Sequence, residues 1–313
     1  MEQVEQFIHW LNDNIVWGPV MLVLLVGTGI WLTLILRGLQ FGMLFYALKQ
    51  AFRPHPKKDD GSDHEGDVSH FGALMTALSA TIGTGNIAGV ATAVVTGGPG
   101  AVFWMWITAI FGMATKYGEG VLAVKYRVTN SKGEMSGGPM YYIENGLGKK
   151  WKWLAFLFAF FGVMASFGIG STVQANSVAQ AVHSSFGIDT WITGVVLTLI
   201  TAFVVLGGIQ SISRVSSVVV PFMAVLYIVG GLVVVAMHFD LLLPALKVIM
   251  HDAFSGQAVA GGVVGTVIRY GVARGLFSNA AGAGTTPSMH AAANVKHPVN
   301  QGLSGMLGVF VTT

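Results

Sequence analysis

Ala80-Thr81-Ile82-Gly83-Thr84-Gly85-Asn86-Ile87-Ala88-Gly89 lies halfway along an apolar run that spans 70–96. A glycine inside an ordinary helix costs about 1 kcal/mol against alanine, so a cluster of them at the middle of a membrane-length segment needs a reason. A second cluster, Gly275-Leu276-Phe277-Ser278-Asn279-Ala280-Ala281-Gly282-Ala283-Gly284-Thr285-Thr286-Pro287, interrupts the segment 257–290. A backbone that unwinds at membrane depth leaves N–H and C=O groups unpaired, at several kcal/mol each unless protein, water or a ligand satisfies them. The unwound turns are therefore candidate polar sites. Helix N-termini offer N–H groups to a carboxylate, while freed carbonyls and Thr or Ser hydroxyls offer hard oxygens to a small cation. A zwitterionic amino acid with an alkali ion fits that mix. The competing reading is close approach of helices through small residues, since Gly85 and Gly89 have small-xxx-small spacing.

Around these stretches the composition is that of a membrane protein. Of 313 residues, 53% are hydrophobic and 10% charged, against about 25% charged in soluble domains, so there is too little polar surface to cover a water-soluble globule. Apolar segments run over 15–36, 70–96, 99–124, 152–184, 189–208, 215–237 and 257–290, with another from near 300. They have the roughly 20 residues that cross about 30 Å of hydrocarbon, and they are too many and too long for a signal peptide. Cysteine is absent, which excludes disulfides, thiolate catalysis and cysteine metal sites. The net charge of +3 resides in short basic loops, so it reports topology and not nucleic-acid binding. The stretch from Gly308 to Thr313 carries no stop signal or flanking charge, and the sequence is expected to be the N-terminal part of a longer chain.

Lysine and arginine set the orientation. The segment before the first apolar run has none, the loop from Arg37 to Ser69 has Arg37, Lys49, Arg53, Lys57 and Lys58, and the next basic loop has Lys125, Arg127, Lys132, Lys149, Lys150 and Lys152. Both loops are cytoplasmic on the positive-inside rule, which puts the N-terminus outside. Arg214 and Lys296 then fall inside as alternation requires, and Lys247 falls in an amphipathic stretch after Pro244 expected to rest on the outer face. Trp151, Trp153 and Trp191 sit at segment ends, where interfacial belts place them. The first interrupted segment runs outward, four apolar segments follow, and the second interrupted segment returns. That is the order of an inverted repeat sharing a site between its halves. The expected fold is all-α: a polytopic membrane helix bundle with broken helices, forming one transmembrane domain over 1–313. Within it, 70–237 would be the first five-helix repeat, 257–313 the start of the second, and 15–36 an extra helix before the core. Gly83-Thr84-Gly85 is not a dinucleotide loop, since no soluble strand precedes it and the third glycine is misplaced, nor a phosphate loop, since no lysine follows.

Thr81 to Gly89, Phe167-Gly168-Ile169-Gly170 leading to Gln174-Ala175-Asn176-Ser177, Arg274 to Asn279, and Gly137-Gly138-Pro139-Met140-Tyr141-Tyr142-Ile143 resemble the alanine or glycine:cation symporter family, in the same order along nearly the whole chain. The resemblance implies a LeuT-type five-plus-five fold, coupling to sodium or in some members to protons, and small neutral amino acids as substrates. It implies a monomer in the lipid bilayer of the cell inner membrane, with sodium as coupling ion and no other cofactor. The family usually carries an acid after Phe-Ser-Asn, where this chain has Ala280, and another near Thr312.

Thr84, Gly85 and Asn86 supply a hydroxyl, a close-approach backbone and an amide at one point, and they resemble the family's substrate-binding break. Gln174 is an uncharged amide in hydrocarbon that needs a partner; the resemblance makes the substrate that partner, and an interhelical hydrogen bond is the alternative. Asn176 faces another side of the same helix and is assigned a structural role. Phe277 is a candidate pocket wall restricting side-chain size, with core packing the equal alternative. Ser278 and Asn279 offer oxygens at the second break. Ala80, Thr81, Gly83 and Thr84 are the candidate sodium ligands at the first. Arg269 and Arg274 are costly at membrane depth unless they face protein or water, and are read as an anchoring or gating pair. Lys116 and Glu119, three apart near the cytoplasmic end, read as an ordinary surface pair. His183, His238, His251, His290 and His297 fall on loops and segment ends without metal-like spacing.

No paired carboxylates, nucleophile with base, or metal cluster stands at membrane depth, which argues against an enzyme. A channel would need a continuous polar lining. Secondary active transport remains, as sodium-coupled symport of alanine or glycine into the cell, with proton coupling or exchange as the alternative.

Overall fold

A computed structural model of the protein describes residues 2–53, 65–254 and 264–313. The chain is helical almost throughout, because a helix satisfies its backbone groups internally where the surroundings are apolar. Helix α1 (Glu2–Leu11) passes through a π-helical turn into α2 (Pro19–Ile35), with Pro19 at the first position, where its missing N–H is not needed. Next come α3 (Leu39–Ala51), strand β1 (Val68–Ser69), α4 (His70–Thr81), α5 (Thr84–Gly97) and α6 (Ala101–Lys125). A short antiparallel pair, β2 (Val128–Thr129) with β3 (Met135–Ser136), leads to α7 (Pro139–Leu147). Then α8 (Lys152–Ala165) joins α9 (Val173–Phe186) through a π-helical turn at Ser166–Thr172, followed by α10 (Thr190–Val205), α11 (Gly208–Met237) and α12 (Phe239–Ala253). The described chain closes with α13 (Val264–Asn279), α14 (Pro287–Ala291), β4 (Ala293–Asn294) and α15 (Pro298–Thr312).

Four described helical stretches are long and apolar enough to cross a membrane: Asn14–Ile35, His70–Gly97, Lys149–Phe186 and Gly208–Met237, with Thr190–Val205 a shorter apolar one. They coincide with segments read from the sequence. The structure adds detail that the sequence reading lacked. The basic loop from Arg37 to Ser69 contains α3, whose Ala47 and Ala51 are buried and whose Gln40 amide bonds Thr33 Oγ1 at 2.9 Å. Its 13 residues are too few to span, so a search for spanning segments passes over it. The segment 257–290 is interrupted unevenly, with a long helix before the break and a short one after it. After α13 only Pro287–Ala291 is helical, and the expected start of the segment lies outside the described residues. Pro244 lies inside α12 and not ahead of it, and that helix docks on the start of α6 through Asp252 Oδ2, which accepts from Gly100 N at 2.7 Å.

The core lies among α4, α6 and α15, with Leu74, Leu78, Met113, Leu303 and Met306 buried together. Glycines let α6 and α15 touch backbone to backbone. A Cβ on Gly120 would fall 2.7 Å from the Gln301 carbonyl oxygen, and one on Gly305 would fall 2.7 Å from that of Lys116. Near the start of α4, β1 pairs in parallel with β4, Val68 opposite Ala293 and Ser69 opposite Asn294. Arg127 clamps this ladder, donating to the carbonyls of Ala291, Ala293 and Glu65 at 2.8, 2.7 and 2.7 Å.

Candidate functional site

The first helix breaks where the glycine cluster foretold. Ile82 leaves the helical region with ψ 110, Gly83 is fully extended, and a new helix starts at Thr84. Asn86 closes the break locally, its Oδ1 accepting from Gly83 N at 2.9 Å, so one orphan donor at a helix start is served by a side chain. That bond fixes which way the amide points. Its Nδ2 then donates across to the second break, reaching Ser278 Oγ at 2.8 Å, the Ser278 carbonyl at 3.3 Å and the Thr312 carbonyl at 2.7 Å. Ser278 Oγ also donates to the Thr312 carbonyl at 3.1 Å. An amide has two protons to give. Three oxygens gathered about one nitrogen form a shell rich in acceptors, the environment a small hard cation takes.

Beside this shell, Gln174 Oε1 accepts from Thr84 N, the first amide of α5, at 3.2 Å. Gln174 follows the π-helical turn by two residues, and that turn stands because Ser171 and Thr172 donate to carbonyls five residues back. Such bulges recur at functional sites. A Cβ on Gly83 would fall 2.9 Å from Gln174 Oε1, and one on Gly85 would fall 2.8 Å from the Phe277 ring. Phe277 is held on its other side by Trp17, edge to face at 6.4 Å. Trp17 in turn is anchored by Arg269 Nε, which donates to its carbonyl at 3.1 Å. Arg274 is half-buried further along α13.

The fold thus brings Thr84, Gly85, Asn86, Gln174, Phe277 and Ser278 to one place. Asn279 turns away from them: its Oδ1 accepts from Ala281 N at 2.9 Å, and its amide lies against Gly112 of α6. Among the candidate sodium ligands, Gly83 and Thr84 stand at the break itself. The Thr81 hydroxyl bonds back to Ala77 and Leu78 within α4, and Ala80 is exposed.

One expectation is overturned. Lys116 and Glu119 are no surface pair: they are 3% and 8% exposed and face the second break. His290, at the end of the segment 257–290, is 1% exposed. The Gln301 amide bridges His290 Nδ1 and His70 Nδ1, and His70 Nε2 pairs with Ser304 Oγ at 2.8 Å. Among the described residues no three His, Cys, Asp or Glu gather as a metal site. The Thr312 carbonyl, Trp17, His70 and Gln301 join these networks without belonging to any motif of the sequence. The last two carried a signal, as polar side chains among apolar neighbours.

A profile of the sodium:alanine symporter family matches residues 1–313. The chain belongs to that family. It is 57% identical over 311 residues to the sodium/alanine symporter AgcS of Methanococcus maripaludis, covering 98% of this chain and 68% of the relative. An uncharacterized transporter of Haemophilus influenzae is 51% identical, over 96% of this chain and 65% of its own. The amino-acid carrier protein AlsT of Bacillus subtilis is 38% identical, over 97% and 63%. The chain therefore spans about two thirds of the length of these relatives. Membership of the sodium:alanine symporter family makes it an integral membrane transporter and not an enzyme.

Proposed function

We propose that this chain binds a small neutral amino acid, alanine or glycine, beside a sodium ion between its two broken helices, and carries both into the cell. The observation that supports the reading is Asn86, whose amide joins the first break to Ser278 and Thr312. In the filled site, the carbonyl and hydroxyl of Ser278, the Thr312 carbonyl and the oxygens at Gly83 and Thr84 are the ligands offered to sodium. The amides at the start of α5 receive the substrate carboxylate, favoured there by the helix dipole. Gln174 Oε1, which accepts from Thr84 N, is the group the carboxylate displaces, leaving its amide to bond the substrate. Phe277 against Gly85 closes the side-chain end and keeps the pocket small. Sodium entry supplies about 2.3 kcal/mol per charge per 100 mV, enough to concentrate substrate severalfold.

The reading includes a LeuT-type inverted repeat, with 70–237 as the first half, 257–313 the start of the second and 15–36 outside the repeat. It places the protein as a monomer in the cell inner membrane, N-terminus outside. Alternating access follows from one helix group rocking against the other about the shared site.

The test is uptake of labelled alanine into proteoliposomes holding the complete gene product, under an inward sodium gradient and then with potassium in place of sodium. Uptake with sodium alone is the expected result. Equal uptake in both would transfer the coupling to protons or exchange, and no uptake of any small amino acid would sink the substrate assignment.

A further inference from the structure

Lys116 and Glu119 stand one turn apart on α6, with Nζ 3.3 Å from Oε2, and both are buried. Taking two charges out of water costs more than their attraction returns unless further hydrogen bonds serve them. Those bonds are made with the loop 280–286, which follows Ser278 and Asn279. Glu119 Oε1 accepts from Gly282 N at 3.1 Å near one end, and Lys116 Nζ donates to Thr286 Oγ1 at the other. The loop is one that would not hold its shape unaided, since Ala280, Gly282 and Gly284 all have left-handed backbone, at φ 51, 83 and 70. Beside Lys116 and Thr286, on the side of α4 and α15, lies a cavity of about 10 Å³, room for one water molecule, lined in part by Thr81, Lys116, Asn279, Thr286 and His290. Asn279 Nδ2 is buried there with no protein partner among the described residues.

We propose that Lys116 and Glu119 are positioning residues of the transport site. By gripping the 280–286 loop at Gly282 and Thr286, the pair fixes the exit of α13 and thereby holds the carbonyl and hydroxyl of Ser278 opposite Asn86. Neither charge touches substrate or ion. This rests on the site reading given above, that Asn86 and Ser278 frame the substrate and ion.

The test uses the complete gene product in proteoliposomes, with the alanine KM and the sodium concentration for half-maximal uptake as readouts and the melting temperature as a control for folding. Lys116→Met alone leaves a buried carboxylate without its partner, and the double variant Lys116→Met/Glu119→Gln removes that burden while keeping an acceptor for Gly282 N. A double variant that melts like the parent, yet needs at least tenfold more sodium and alanine, is the expected result. Lys116→Arg, which keeps the charge and its donors, is expected to recover most of the affinity. Parental constants in the double variant would overturn the positioning role. Asn86→Ala separates the two claims: unchanged constants there would overturn the site reading and this proposal with it, whereas loss there beside a parental double variant overturns the positioning role alone.

Discussion

Asn86 serves both breaks at once. Asn86→Ala removes the cap on Gly83 N and the bridge to Ser278 and Thr312 together. At about 1–3 kcal/mol for each buried polar group left unserved, alanine affinity is expected to fall by ten- to several-hundredfold, read by isothermal titration with sodium present. In the proposed site Phe277 acts on selectivity instead. Phe277→Ala opens the side-chain end of the pocket, and the preference for alanine over a larger aliphatic amino acid is expected to shrink by about 10- to 200-fold, the span a methylene or two is worth in an apolar pocket; competition uptake measures it. Residues of this kind were legible in the sequence because glycines, an amide and a hydroxyl crowd a point where an apolar helix should be bland. Lys116 and Glu119 were not. Three-residue spacing is the same for a pair on a wet surface and for a pair gripping a neighbouring loop, and only the fold decides which. Asn279 illustrates the same limit, since one residue along a helix rotates a side chain by 100° and turned it from the break towards α6.

At the scale of elements, α6 and α15 are the pair whose contact the proposed site depends on, because α15 carries Thr312 and α6 carries Lys116 and Glu119. Their backbones meet at glycines, and the consequences are unequal along α15. Gly305→Ala would set a Cβ 2.7 Å from the Lys116 carbonyl, while Gly308→Ala meets only Leu78 at 3.9 Å. Gly305→Ala is expected to destabilise by about 1–3 kcal/mol through overpacking. Gly308→Ala is expected to be neutral or to stabilise by up to about 1 kcal/mol through helix propensity. Thermal melting of the two variants in detergent would show the contrast, and equal melting temperatures would refute backbone contact at Gly305. The sequence disclosed the apolar helices well because length and hydropathy are local properties. It hid α3, which is too short to span and has one face buried by neighbours over 60 residues away: Gln40 also reaches the Ile110 carbonyl at 3.4 Å.

Across the whole molecule, a buried polar chain joins α4 to α15 and α14 through His70, Ser304, Gln301 and His290. These elements are expected to move as one body when access alternates. The clamped ladder between β1 and β4 adds to that body. Arg127→Ala deprives three carbonyls of a charged donor, and bonds of that type are worth about 1.5–3 kcal/mol. Faster amide exchange at 65–69 and 291–294 is the expected outcome, while unaltered protection would show the ladder to be self-sufficient. The order of broken helices was visible in the sequence, but two-residue strands carry no pattern that a reading could detect. The ladder also has a bearing on biosynthesis. Val68 and Ala293 are 225 positions apart in the chain, so at a ribosomal pace of roughly 5–20 residues per second α4 waits on the order of ten to fifty seconds for the strand that completes its entrance. During that interval His70 and the open edge of β1 must be sheltered by lipid headgroups or by the insertion machinery, and a nascent chain stalled before Ala293 should be markedly more open to protease at 65–69 than one stalled after Thr312.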